Sequence, residues 1–135
     1  MDIEKCNALK RELAPQPEPQ VVPIARFFDG NDDLGSIGCN LGDHPGMDVF
    51  RNTLTGLLKR PDVEAVYAQI YELDPDEDSW PFTDTVLVVG TVAPEVLEQI
   101  LAPLMPDEVG SSDPALYSPS LTNQGRSSIA FAWWD

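Results

Sequence analysis

The stretch "DTVLVVGT", residues 84–91, decides the fold class that we predict. It is an almost continuous apolar run rich in valine, which is typical of a strand in the middle of a sheet. The segment "DVEAVYAQIYELD", residues 62–74, lies before it, contains no glycine or proline, and mixes apolar with polar residues as a second strand does. The intervening "PDEDSWPF", residues 75–82, is predicted to be the loop that joins them.

Helical patterns lie on both sides of this strand pair. Residues 45–60 and residues 94–104 each begin with a proline, which favours the first position of a helix, and each carries one apolar stripe. At the two ends, "QVVPIARFF" (20–28) and "SSIAFAWWD" (127–135) are rich in β-branched and aromatic residues, so both are predicted to be strands.

This order of elements predicts a ferredoxin-like βαββαβ fold, an α+β sandwich in which two helices cover one face of an antiparallel sheet. Residues 20–135 are expected to form this single domain, with a loop at 106–126. Residues 1–19 are predicted to be an N-terminal helical arm on a proline-rich linker, because closely spaced prolines favour extended chain.

Two segments resemble known domain families. "KRPDVEAVYAQIYE" (59–72) followed by "TVLVVGTVAPEVLEQIL" (85–101) is similar in layout to heavy-metal-associated domains and to ACT-type small-ligand domains. A heavy-metal-associated domain carries a CxxC motif before its first helix, whereas "GSIGCNLGDHPG" (35–46) contains one cysteine. The resemblance therefore implies a layout and no metal transfer, and we predict neither a metal nor another cofactor.

Charge is the clearest compositional signal. The formal net charge is -15, and no lysine or arginine lies between Arg60 and Arg126. Such a chain repels nucleic acid and anionic membranes, so we predict binding to neither, whereas a basic protein is a compatible partner. The N-terminus lacks the apolar stretch of a secretory signal, which favours a cytoplasmic protein.

We therefore predict a non-enzymatic interaction protein, similar to small acidic inhibitor or immunity proteins, that binds a basic protein surface. A ferredoxin-like sheet leaves one face open, and an exposed tryptophan there would also allow a homodimer. Trp133 and Trp134 point to opposite faces because side chains alternate along a strand. The predicted binding residues are Asp74, Asp76, Glu77, Asp78, Trp80, Phe82 and Trp134.

The segment "DGNDDLGSIGCNLGDHPG", residues 29–46, supports an alternative function. A calcium loop beginning at Asp29 would need glycine at its sixth position and an acidic ligand at its twelfth, but these are Leu34 and Asn40. A folded turn structure is the favoured interpretation. The alternative is a regulatory domain that binds a small ligand or cation, with candidate ligands Asp29, Asn31, Asp32, Asp33 and His44.

Overall fold

A computed structural model describes residues 2–112 and 128–135. In these residues the chain has mixed α+β architecture, with four α-helices and a five-stranded antiparallel sheet. The helices are α1 (Ile3–Leu13), α2 (Ile24–Phe28), α3 (Met47–Gly56) and α4 (Pro94–Leu101). The strands are β1 (Val21–Pro23), β2 (Val63–Glu72), β3 (Phe82–Gly90), β4 (Glu108–Ser112) and β5 (Ser128–Trp133).

The strand order in the sheet is β1-β2-β3-β5-β4, and every neighbouring pair is antiparallel. This order differs from that of a simple ferredoxin-like fold, in which the first two strands are parallel and separated by another strand. Here β1 and β2 are neighbours and run antiparallel, and Val21 of β1 lies directly opposite Gln69 of β2. The predicted strands at 62–74, 84–91 and 127–135 and the helices beginning near 45 and 94 are confirmed.

Two local predictions were wrong. Residues 20–28 form three residues of strand and then helix α2. The strand ends at Pro23, which has no backbone N–H to extend the ladder. The predicted loop at 106–126 contains the edge strand β4, while its part beyond residue 112 lies outside the described residues.

The sheet has an apolar layer on each face. Alternate residues such as Val86 and Val88 face the helices in the main core, whereas Leu87 and Val89 point the other way. Leu87, Val89 and Ile129 are at most 1% exposed, so the face opposite the helices also buries apolar side chains. We expected this face to be open, and the burial of these residues contradicts that expectation.

Helix α1 is part of the main core, although we expected residues 1–19 to be an arm. Cys6, Leu9 and Leu13 lie on one side of this helix and are at most 2% exposed. Their helical spacing places them together, and burial against the rest of the core holds α1 on the domain. No helix within the described ranges has the length and apolar character needed to cross a membrane.

Candidate partner-binding surface

The loop between β2 and β3, residues 73–81, carries most of the predicted binding residues, and we call it the acidic loop. Asp74, Asp76, Glu77 and Asp78 are all exposed. The Asp76 carboxylate accepts a 2.8 Å hydrogen bond from the backbone N–H of Asp78, which fixes a local turn. The loop therefore presents several carboxylates to solvent from an ordered backbone.

Side chains of helix α1 hold the acidic loop through polar contacts. The Lys10 ammonium lies 2.9 Å from a carboxylate oxygen of Asp74 and donates to the carbonyl of Asp76 at 3.0 Å. The Cys6 thiol donates to the carbonyl of Ser79 at 3.4 Å. Burial raises the pKa of this thiol, because desolvation disfavours the thiolate. The sequence prediction missed this contact, since the helix was treated as separate from the domain.

Both tryptophans in the predicted binding set are buried, which corrects the expectation that they are exposed. Trp80 is 0% exposed, and its backbone N–H donates to Asp33 at 3.0 Å. Trp134 is 3% exposed, lies against Phe50, and donates from its indole nitrogen to the carbonyl of Leu104 at 2.8 Å. Large aromatic side chains stabilise a small core, and the core of this chain includes Trp80 although Trp80 belongs to the acidic loop.

Other aromatic side chains are accessible at the same end of the sheet. Tyr71 is 70% exposed, and Phe82 and Trp133 are half-buried. They surround a cleft of about 410 Å³ that we call the aromatic cleft. Its described lining also contains three carboxylates and no basic residue: Gly38, Cys39, Asn40, Tyr71, Glu72, Phe82, Thr83, Asp84, Trp133, Trp134 and Asp135. Of the predicted binding residues, only Phe82 and Trp134 line it.

Antiparallel pairing positions the walls of the aromatic cleft. Glu72 at the end of β2 lies opposite Phe82 at the start of β3. The backbone N–H of Trp134 donates to the carbonyl of Asp84 at 2.9 Å, which holds the end of β5 against the same part of β3. The alternation of side chains along β2 indicates which face of the sheet Tyr71 occupies. Only the pairing of the strands shows that Tyr71 and Trp133 line the same cleft.

The segment 29–46 is built largely from turns, as the favoured interpretation predicted. Asn31 is buried, accepts from the N–H of Asp33 at 2.9 Å and donates to Ser36 at 3.0 Å. Asp33 also caps a short 3-10 helix at Leu34–Ser36 by accepting from Gly35 at 2.9 Å. These polar side chains are thus engaged in holding the backbone.

The remaining candidate ligands of this segment are dispersed. Asp29 pairs with Lys5 at 2.7 Å, and this hydrogen bond lowers the pKa of the Asp29 carboxyl. His44 Nδ1 accepts from the N–H of Gly46 at 2.9 Å and its Nε2 donates to the carbonyl of Ile37 at 2.9 Å, while Asp32 is exposed. Among the described residues, no group of three or more His, Cys, Asp or Glu side chains is arranged to hold a metal ion.

Comparison with known proteins places the chain in a family. The family described as "Uncharacterized protein YfbO family" matches residues 4–128, so the chain belongs to it. The chain is also 26% identical over 122 residues to "Uncharacterized protein YfbO" of Escherichia coli (strain K12). That alignment covers 88% of this chain and 84% of the relative. No solved structure matches.

Proposed function

We propose that this member of the YfbO family is a non-enzymatic interaction protein that binds a basic protein through its acidic loop. The observation that carries the proposal is the Lys10 contact, in which the loop already binds an ammonium group with the Asp74 carboxylate and the Asp76 carbonyl. Glu77 and Asp78 are exposed beside this contact, so a partner has further carboxylates to reach.

The charge of the whole chain supports the same proposal. A net charge of -15 attracts a basic protein at long range, and the exposed loop offers ion pairs when the two proteins meet. Such binding weakens as salt screens the charges, because the Debye length falls from about 10 Å at 0.1 M to about 3 Å at 1 M. We also propose that the protein acts in the cytoplasm. The homodimer stays a prediction, and the buried Leu87, Val89 and Ile129 do not supply the open sheet face on which it was based.

The test compares two variants of equal charge. Glu77→Gln with Asp78→Asn removes two charges from the acidic loop, and Glu95→Gln with Glu98→Gln removes two exposed charges from α4. Each protein is immobilised, and basic proteins captured from host extract are quantified at low salt. We expect the loop variant to lose most of the captured basic protein and the α4 variant to retain it. Equal capture by the wild-type protein and by both variants would contradict the proposal.

A cation or small-ligand role for residues 29–46 stays an untested prediction. Asp43 is exposed in this segment, whereas Asp29 and Asp33 are held by hydrogen bonds. Calorimetric titration with calcium, magnesium and common nucleotides tests this alternative, and binding heat that is lost in Asp32→Asn would support it.

A further inference from the structure

We propose that the aromatic cleft receives the guanidinium group of an arginine side chain from the basic partner. This inference rests on the proposed function and names the chemical group that the partner inserts. It is based on a second surface, because the aromatic cleft lies beside the acidic loop and shares none of its residues.

The walls of the aromatic cleft match a planar cation. Tyr71, Phe82 and Trp133 provide aromatic side chains, over which guanidinium groups stack favourably. Glu72, Asp84 and Asp135 provide carboxylates that accept from its several N–H donors. Because none of the described lining residues is basic, no internal cation among them competes for these carboxylates.

The chemistry differs from that of the Lys10 contact. The Lys10 ammonium is bound by one carboxylate and one carbonyl, and this pair of acceptors suits a compact point charge. The aromatic cleft instead combines flat side chains with carboxylates on several sides. Arginine makes better use of that arrangement than lysine, since its donors lie in one rigid plane and its face stacks on aromatic rings.

The size and rigidity of the aromatic cleft fit this role. Its volume of about 410 Å³ lies within the range of about 300–1,000 Å³ that is typical of small-molecule pockets, so a guanidinium group and the end of its aliphatic chain fit inside it. The ends of three strands form it together with residues 38–40, Trp134 and Asp135. Asp84 is held by two hydrogen bonds: its carboxylate accepts from the Thr85 hydroxyl at 3.0 Å and its carbonyl accepts from the Trp134 N–H at 2.9 Å. A preformed site of this kind binds a side chain at a lower entropic cost.

The aromatic cleft and the acidic loop are contiguous along the chain. Tyr71 and Glu72 end β2, and the acidic loop begins at the next residue. Phe82 begins β3 directly after the loop. A basic segment lying along the loop therefore passes the mouth of the aromatic cleft, where one of its side chains can enter.

The test uses two peptides of equal charge: one with five consecutive lysines between terminal glycines, and the same peptide with arginine in place of the central lysine. Binding to the full chain is measured by NMR titration. We expect the arginine peptide to bind about 3- to 10-fold more tightly. We also expect its binding to shift the indole resonance of Trp133. Equal affinities for the two peptides would overturn the inference.

Substitutions in the aromatic cleft test whether the preference for the arginine peptide arises there. Tyr71→Ala is expected to reduce the arginine preference to about 1, as is Asp84→Asn, because each removes part of the guanidinium site. Tyr71 is 70% exposed, so its removal leaves folding intact. Leu58→Ala, at a residue 42% exposed outside the cleft, is the matched control and should keep the preference. A preference that survives Tyr71→Ala and Asp84→Asn would also overturn the inference.

The two proposals fail in different ways. If both peptides bind equally and Glu77→Gln with Asp78→Asn weakens them, the arginine inference falls and the proposed function stands. The opposite result is an arginine preference that disappears in Tyr71→Ala, together with unchanged capture of basic protein by the loop variant. In that case the acidic loop does not bind the partner, and the arginine site in the aromatic cleft is supported.

Discussion

The Asp33 carboxylate accepts a 3.0 Å hydrogen bond from the backbone N–H of Trp80, which joins the segment 29–46 to the acidic loop. Its other oxygen accepts from Gly35 at 2.9 Å. One side chain therefore fixes the start of a 3-10 helix and the position of a fully buried tryptophan. An aspartate that looked like a cation ligand in the sequence is a structural support for the proposed binding surface.

Replacing Asp33 tests this support. We expect Asp33→Ala to lower the free energy of unfolding by about 2–4 kcal/mol, because two hydrogen bonds to a charged acceptor are lost. Urea denaturation monitored by tryptophan fluorescence measures the change. Asp43→Ala, at an exposed position of the same segment, should change stability by less than about 0.5 kcal/mol. Equal effects of the two substitutions would contradict the assigned role.

The packing of α1 is tested at Leu9. This side chain is 0% exposed, so Leu9→Ala should destabilise the chain by about 2–4 kcal/mol through lost apolar burial and the cavity left behind. Asn7→Ala changes an exposed position on the same helix and serves as the control. If α1 were a free arm, both substitutions would leave the urea midpoint unchanged.

Gly90 is expected to tolerate no side chain. Its φ is +152°, and an added Cβ would lie 2.3 Å from the Asp62 carbonyl oxygen, which is backbone and cannot rotate away. We expect Gly90→Ala to cost about 3 kcal/mol of unfolding free energy. An added Cβ at Gly42 meets nothing within 4 Å. A comparable loss of stability in Gly42→Ala would show that the effect is not specific to the close approach at Gly90.

The two cysteines should differ sharply in reactivity. Cys6 is buried, and its burial raises the pKa of its thiol, whereas Cys39 is exposed. A thiol reagent such as dithionitrobenzoate should therefore modify Cys39 rapidly in the native protein and Cys6 only after denaturation. Cys39→Ser should abolish the rapid reaction, while Cys6→Ser should preserve it. Rapid reaction of native Cys39→Ser would disprove the burial of Cys6.

Acid titration should reveal the Lys5 pair. Its hydrogen bond lowers the pKa of Asp29 below the ordinary 3.8. A depressed carboxyl pKa stabilises the fold above the unfolded-state value, and the contribution is lost as pH falls through the folded-state value. The stability difference between wild type and Lys5→Gln should therefore be present at pH 6 and shrink below about pH 3.8. Lys59→Gln is the control for net charge: it also removes one positive charge, but Lys59 is exposed and forms no ion pair with the residues that the structure describes. A difference that is constant with pH would contradict this account.

The sequence was informative where local patterns dominate. The helix start near Pro94 and the apolar run of β3 are local signals, and both elements form as predicted. Residues 24–28 also had a helical signal, since Ile24, Phe27 and Phe28 lie at spacings of three and four, but their aromatic and β-branched composition favoured a strand. Edge strand β4 contains glycine and serines and therefore gave little strand signal.

Pairing between distant segments could not be predicted from the sequence. Nothing local to Val21 specifies that it lies opposite Gln69, and the strand order depends on that pairing. The same limitation affected the binding surface. The four acidic residues of the predicted site lie together on one exposed loop, but which aromatic side chains are accessible depends on how β3, β5 and the helices pack together. Trp80 and Trp134 were consequently assigned to the surface, and Tyr71 was missed.

The early end of β1 also limits how this protein can aggregate. An edge strand with free N–H and C=O groups can template the addition of a strand from another molecule. β1 has only three residues, ends at Pro23 and gives way at once to α2. β1 itself therefore offers only a very short backbone ladder to an incoming chain. At the β1 edge of the sheet, this short strand and its terminal proline disfavour the addition of a strand from another molecule.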